Sequence, residues 1–344
     1  MIRFNCDYSE GAHERILKKL AETNLEQTPG YGEDHYCTEA ADIIRRLCGQ
    51  EDAAVHFLVG GTQANMTVIA SALRSHQGVV GAVTAHINVH ETGSIEATGH
   101  KVLALPSEDG KITAAQVEEL YQSHIQDESF EHTVQPKMVY VSNPTELGTI
   151  YTKAEMESLY GVCRKYGLYL FVDGARLAYG LAAEGNDLDL KALAASCDVF
   201  YIGGTKVGAL FGEAVVILNN ELKADFRYHI KQRGGMLAKG RLLGIQFGEL
   251  LRDGLYFELG AHADRLADKI RSACAGKGYP FLVENTTNQV FPILPDSLLE
   301  AWKDKYSYTN QGRLDESHTA IRLCTSWITS QEQVDALVHD ILNS

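Results

Sequence analysis

Two stretches decide the fold: GLYLFVDGAR (residues 167–176) and VFYIGGTKVGALFGEAVVIL (residues 199–218). Each opens as a short run of apolar residues, rich in aromatic and β-branched types, and breaks off at a polar or glycine-rich turn. Apolar runs of that length, without polar alternation, mark strands buried on both faces. Upstream, AAVHFLV, GVVGAV, KVLAL and KMVYV repeat the pattern between residues 53 and 141. Helical stretches lie between these runs, at Thr62–Arg74, Thr113–Ser123 and Lys153–Tyr166. Strand and helix in alternation imply βαβ units: an α/β fold with a mostly parallel central sheet and helices on both faces. Ligands of such sheets bind beyond the carboxyl ends of the strands, so the residues just after each run are the candidates for chemistry.

After Leu218 the pattern changes. Residues 219–276 read almost wholly as helix, with GGMLAKGR marking a bend, and the remainder alternates NQVFPIL, a helix near Leu298–Lys303, the strand-like IRLCTSW and a final helix over Ser330–Asn343. The expected division is a large ligand-binding domain over 1–240, with an N-terminal pocket segment, and a smaller C-terminal α/β domain over 241–344.

Composition narrows the function. With 31 Lys+Arg against 45 Asp+Glu the formal net charge is −14, which disfavours nucleic acid or an anionic membrane as partner. No run approaches the roughly 20 apolar residues of a membrane span, and MIRFNCDYSEGAHERI has no secretory core. Seven cysteines, odd in number and without a CxxC pair, argue against a disulfide framework or a structural zinc. The expectation is a cytoplasmic protein acting on a small molecule.

Lys206 ends an apolar run inside GGTKVGALFG. Desolvation there frees a neutral amine for Schiff-base chemistry; the alternative is a lysine reaching past the strand end to water. Asp173 ends LYLFV, where an unpaired charge is costly. It needs either Arg176, three residues on, or the cationic ring nitrogen of a cofactor. Gly60-Gly61-Thr62-Gln63-Ala64-Asn65 stands where a strand turns into a helix, a natural anion site, or else a tight turn capped by Thr62. It is neither GxGxxG nor a P-loop. His86 and His90 are four apart, as in a metal pair, but the order is not HExxH and no third ligand is placed, so no metal is expected. At a strand end His86 is instead a flat partner for a planar ring. Arg322, in AIRLCTSW, either faces solvent or holds a carboxylate. One ligand reconciles these features. Pyridoxal 5'-phosphate needs a lysine for its aldehyde, an acid for its pyridinium nitrogen, a helix N-terminus for its phosphate and a flat partner for its ring.

Over most of its length the sequence resembles the low-specificity threonine aldolases of the β-eliminating lyase group, which are fold-type-I pyridoxal-phosphate enzymes. The likeness rests on CDYSEGAHERIL, YGEDHYCTEA, GGTQANMTVI, AHINVHETGSIEATGHKV, NPTELGTIYT, FVDGARLAYG, GGTKVGALFGEAVVI and IRLCTSW. It implies that Lys206 carries the cofactor, Asp173 meets its ring nitrogen, His86 covers its ring, and Gly61 and Thr62 reach its phosphate. Arg176 and Arg322 would lie near the cofactor hydroxyl and the substrate carboxylate. The segment around Cys6 would line the pocket, while YGED from Tyr31, and Arg233 in RGGM, would serve a neighbour's site in a homo-oligomer, dimer or tetramer. The implied reaction is retro-aldol cleavage of a β-hydroxy-α-amino acid such as L-threonine or L-allo-threonine to glycine and an aldehyde, with His86 as base for the β-hydroxyl. Cleavage of phenylserine, or β-elimination, is the related alternative. Two positions depart from the pattern: Cys6 stands where many aldolases have Ser, and Thr145 where some have a histidine toward the β-hydroxyl.

Overall fold

The computed structural model describes residues 1–344. The chain opens with a short strand, β1 (Ile2–Arg3), and two helices, α1 (Glu14–Glu22) and α2 (His35–Cys48). Alternation then begins with β2 (Ala54–Leu58), α3 (Gly61–Ala72), β3 (Gln77–Ala82), the one-turn helices α4 (His86–Val89) and α5 (Ser94–Ala97), and β4 (Val102–Leu105). It continues through α6 (Ala114–Gln126), β5 (Gln135–Ser142), α7 (Lys153–Tyr166), β6 (Tyr169–Asp173), α8 (Leu177–Ala182), α9 (Leu190–Ala195), β7 (Val199–Gly203) and β8 (Glu213–Ile217). Helices α10 (Phe226–Gln232), α11 (Arg241–Leu251) and α12 (Leu255–Gly276) come next. The last part holds β9 (Gln289–Val290), β10 (Ile293–Pro295), α13 (Asp296–Trp302), β11 (Tyr306–Ser307), β12 (Thr309–Arg313), β13 (His318–Cys324) and α14 (Gln331–Leu342).

Local sequence explains the helix ends. Helices α6, α7 and α14 each begin with a reciprocal capping box, Thr113 with Gln116, Thr152 with Glu155 and Ser330 with Gln333. The turn after β2 differs from a threonine-capped start. Helix α3 begins at Gly61 on a Gly60 cap that has no side-chain bond, so the Thr62 hydroxyl is not used as a cap.

The central sheet has the order β2-β8-β7-β6-β5-β3-β4. Strands β3 to β7 run parallel to their neighbours among themselves. Strand β8 runs antiparallel to both β2 and β7. That reversal matters for the site. Glu213, the first residue of β8, pairs in register with Gly203 at the carboxyl end of β7 and with Leu58 at that of β2. It therefore opens on the same rim as the strand ends.

The chain buries two apolar cores. The first wraps the central sheet and extends to Ala263; the second begins at Leu266 and includes Val290, Trp302, Ile321, Leu323 and Leu337. The changeover falls inside α12 and not at residue 240, because α11 packs on α2 and the first half of α12 on α8. Phe4 also belongs to the second core, since β1 pairs in parallel with β11. The N-terminal segment thus starts in the small unit before entering the large one. No helix is long and apolar enough to cross a membrane.

Contact between α12 and α8 depends on Gly260. A Cβ there would stand 2.5 Å from the Ala178 carbonyl oxygen. Gly260→Val should push the two helices apart and cost about 1–3 kcal/mol, the usual range for overpacking. A urea midpoint equal to that of the unaltered chain would show that this approach carries no weight.

Candidate active site

A cavity of about 350 Å³ opens on the carboxyl rim of the sheet. It is lined by residues from six strand ends or turns, among them Gly61, Thr62, His86, Glu146, Asp173, Arg176, Lys206 and Glu213. Of the ten residues singled out from sequence, six line it. Cys6, Tyr31, Arg233 and Arg322 do not.

Asp173 closes the apolar strand β6 and is 4% exposed. The Tyr140 hydroxyl and Asn65 Nδ2 donate to its Oδ2, and the Ala175 N–H donates to Oδ1 at 2.9 Å. All three donors are neutral. Arg176 is turned away: its Nε and Nη2 donate to the two oxygens of Asp7 at 2.8 and 3.0 Å. The local Asp173–Arg176 pair is therefore absent, and this buried carboxylate has no cationic partner within the chain.

Asp7 is fully buried and also accepts from Asn288 Nδ2 at 3.0 Å. Burial alone would raise its pKa. The charge of Arg176 and its hydrogen bonds outweigh that, with help from Lys206 and Asn288, and hold the carboxyl at about 2. Asp7 thereby ties the N-terminal segment to α8 and to the approach of β9.

Lys206 stands in the hairpin between β7 and β8. Its carbonyl is fixed by the Tyr179 hydroxyl. Its amine has no ion-pair or hydrogen-bond partner. Burial and the Arg176 charge lower its pKa, while Asp7, Asp173 and Glu213 pull the other way. An amine so placed is available as a nucleophile.

At the start of α3 the N–H groups of Gly61, Thr62 and Gln63 find no acceptor in the chain. The Gly60 cap supplies no side-chain oxygen, so an incoming anion meets free donors and the positive end of a twelve-residue helix. Across the cavity His86 Nδ1 lies 2.8 Å from Glu91 Oε1, and Glu91 also accepts from Asn65 and Ser94. With Glu91 Oε1 as acceptor, Nδ1 is the donor, and in the neutral imidazole Nε2 is then the acceptor. Asn65 donates to both Glu91 and Asp173, linking the histidine to the acid.

Several lining residues escaped the sequence reading. Glu213 is one, and its Oε1 accepts from the Thr205 hydroxyl at 3.0 Å. Glu146 is another: the Ser142 hydroxyl and the His86 N–H both donate to its Oε1, at 2.6 and 2.9 Å. Thr145 also borders the cavity, but it is buried and its hydroxyl is engaged by Thr149 and the Asp109 carbonyl. The carboxyl that reaches the cavity from this loop is that of Glu146.

The remaining four residues lie outside. Cys6 Sγ contacts Ser9 Oγ at 3.1 Å, while Tyr8, two residues on, lines the cavity. Tyr31 lines a separate cavity with Arg227 and is 47% exposed. Arg233 accepts through its carbonyl from Gln63 Nε2, next to Thr62, and its guanidinium meets His229 and Gln232. Arg322 donates to Gln289 Oε1, the Asn5 carbonyl and Thr309 Oγ1, and its buried Nε has no partner.

The model of the family described as Beta-eliminating lyase matches residues 7–296. The chain belongs to that family. Among the curated relatives of this β-eliminating lyase family member is the low specificity L-threonine aldolase of Pseudomonas sp. (strain NCIMB 10558). It is 31% identical over 98% of this chain and 96% of its own. The low specificity L-threonine aldolase of Escherichia coli (strain K12) is 26% identical over 88% of this chain and 87% of its own. A solved threonine aldolase from Leishmania major superposes with a TM-score of 0.97 at 43% identity, covering 100% of this chain and 99% of that one. A double mutant of Thermus thermophilus aspartate aminotransferase matches at TM-score 0.73 and 15% identity, over 100% of this chain and 91% of that one. The last likeness speaks to the fold alone, that of fold-type-I pyridoxal-phosphate enzymes.

The Asp7–Arg176 pair gives a test of how the site is held. Asp7→Asn leaves a buried guanidinium unmatched and should destabilise the fold by about 3–5 kcal/mol, read by chemical denaturation. The Asp7 carboxyl is depressed in the folded state, so its contribution is complete above the ordinary carboxylate value of 3.8 and fades as pH falls toward about 2. The pH dependence of stability in that window should be weaker in the variant.

Proposed function

We propose that this protein is a pyridoxal-phosphate-dependent aldolase that cleaves β-hydroxy-α-amino acids of the L-threonine and L-allo-threonine type to glycine and an aldehyde. The observation that carries the reading is Asp173: a buried carboxylate, surrounded only by neutral donors, facing the cavity into which an unpartnered lysine amine opens. A cationic ring nitrogen supplies what Asp173 lacks, an aldehyde what Lys206 lacks, and a phosphate what the free N–H groups of α3 lack. The donor set fits pyridoxal phosphate. The similarity to low specificity L-threonine aldolases over 98% of the chain supports the substrate class.

When bound, that group supplies an electron sink conjugated with the substrate Cα. Lys206 holds it. Asp173 would meet the ring nitrogen, and Tyr140 and Asn65 hold the Asp173 carboxylate in place by hydrogen bonds. His86 would lie against the ring and would take the β-hydroxyl proton at Nε2, the atom not engaged by Glu91. Arg176 has Nη1 remaining for a ligand once Asp7 has engaged its other two nitrogens, and Arg322 has Nε. Arg176, on the cavity wall, is suited to orient a substrate carboxylate, while Arg322 stands outside that lining.

The unpaired state of all seven cysteines supports a reducing, cytoplasmic setting. The exposed Tyr31 and the Arg233 loop beside Gln63 support a homo-oligomer in which these residues serve the phosphate end of a neighbouring site. Light scattering after size exclusion tests the second point.

The deciding assay incubates the purified protein with L-threonine, L-allo-threonine and phenylserine and scores the products. Glycine plus an aldehyde is expected. Ammonia plus a keto acid would replace the aldolase reading with β-elimination, and no product from any of the three would sink it. Asp173→Asn keeps the hydrogen-bonding shape and removes the charge. It should cut kcat by about 10²–10³, the scale for loss of one preorganised electrostatic contact, with the unfolding midpoint nearly unchanged.

A further inference from the structure

Glu213 has no task in the proposed reaction, yet it is a carboxyl only 3% exposed on the wall of the same cavity. The reversal of β8 puts it there, one residue's contact from Lys206: Thr205 Oγ1 donates to Glu213 Oε1 at 3.0 Å and itself accepts from the Gly212 N–H. Its other oxygen, Oε2, is buried with no hydrogen-bond partner. A carboxylate in that condition must be neutralised by a cation or by a proton.

The cavity wall holds three basic side chains. Arg176 is committed to Asp7, and His86 to Glu91. Lys206 is the one left over. We propose that Glu213 and Lys206 share a single proton, so that the proton lost from the Lys206 ammonium is held on Glu213 Oε2 and not released to solvent. Nζ and Oε2 make no direct hydrogen bond, so the proton passes through water in the cavity: one N–H bond of the ammonium breaks and one O–H bond forms on Oε2, while the net charge of the pair stays the same.

The surroundings favour this arrangement from every side. Asp173 on β6 faces Glu213 with like charge; Tyr201 on β7 and Tyr256 on α12 are neutral; Arg176 before α8 and Asp7 face Lys206. Burial raises the Glu213 carboxyl to about 8 against the pull of Lys206, and burial lowers the lysine. Two groups so coupled lose their protons in two steps that belong to the pair. The benefit to the chain is a neutral amine present across the neutral pH range without a proton having to leave the cavity.

The inference rests on Lys206 being the reactive amine of the proposed function, and the test separates the two. The cofactor-free full-length protein is treated with formaldehyde and cyanoborohydride between pH 5 and 10, and methylation of Lys206 is followed by peptide mass. In the unaltered chain the rate should rise in two steps with a plateau between them. In Glu213→Gln it should rise in one step, at least about one pH unit below the upper step of the unaltered chain, a tenfold difference in rate there. Glu213→Asp should restore the plateau. A single step in the unaltered protein overturns the proposal without recourse to any variant, and so do superposable profiles for the chain and Glu213→Gln. Failure of pyridoxal phosphate and borohydride to label Lys206 would instead count against the aldolase reading, leaving the methylation profile to report on the pair.

Discussion

A negative charge at the end of an apolar strand, with no positive charge in the chain to meet it, is the constraint around which this molecule is arranged. Asp173 could have been neutralised by Arg176, three residues away. Instead Arg176 caps the start of α8 and points to Asp7, and the hydrogen bonds that reach Asp173 come from a phenol, an amide and a backbone N–H. Such donors orient the carboxylate without cancelling its charge. The result is a preorganised field waiting for a cationic ligand, and the rim around it supplies matching ends for the rest of that ligand.

The second arrangement depends on the first. Because Arg176 is held by Asp7, the N-terminal segment becomes part of the wall, and because Asp7 also accepts from Asn288, the two apolar cores meet at one buried ion pair. A polar joint of this kind is specific in direction where an apolar seam would slide. The histidine is oriented on the same logic, through Glu91 and Asn65, so that the flat group and the acid are parts of one hydrogen-bonded chain.

Much of this was legible in the amino-acid order. The seven strands of the central sheet, and the glycine-rich or polar ends at Gly61, Asp173 and Lys206, are dictated by uninterrupted apolar runs, because strands buried on both faces tolerate little else. The residues that escaped did so for geometric reasons. Glu213 begins a strand, and a search confined to the residues after each strand assumes a parallel neighbour; the antiparallel pairing of β8 turns a strand start into a rim residue. Sequence proximity offered Arg176 as the partner of Asp173, but the turn after β6 sends the two side chains apart. The long-range partnership of Asp7 with Arg176 leaves no local signal, since 169 residues separate them. Thr145 and Glu146 are adjacent and both border the cavity, and only the path of the loop decides that the Thr145 hydroxyl is spent on Thr149 and the Asp109 carbonyl.

Helix α12 has a mechanical implication. Its 22 residues contain no proline and belong to the large core at one end and to the small core at the other. At about 1.5 Å per residue it is a beam some 33 Å long, pinned at both ends by buried side chains. Sharp kinks in helices need proline, a bulge or an inserted group, so a beam of this kind resists the hinge bending by which many two-lobed proteins shut over their ligands.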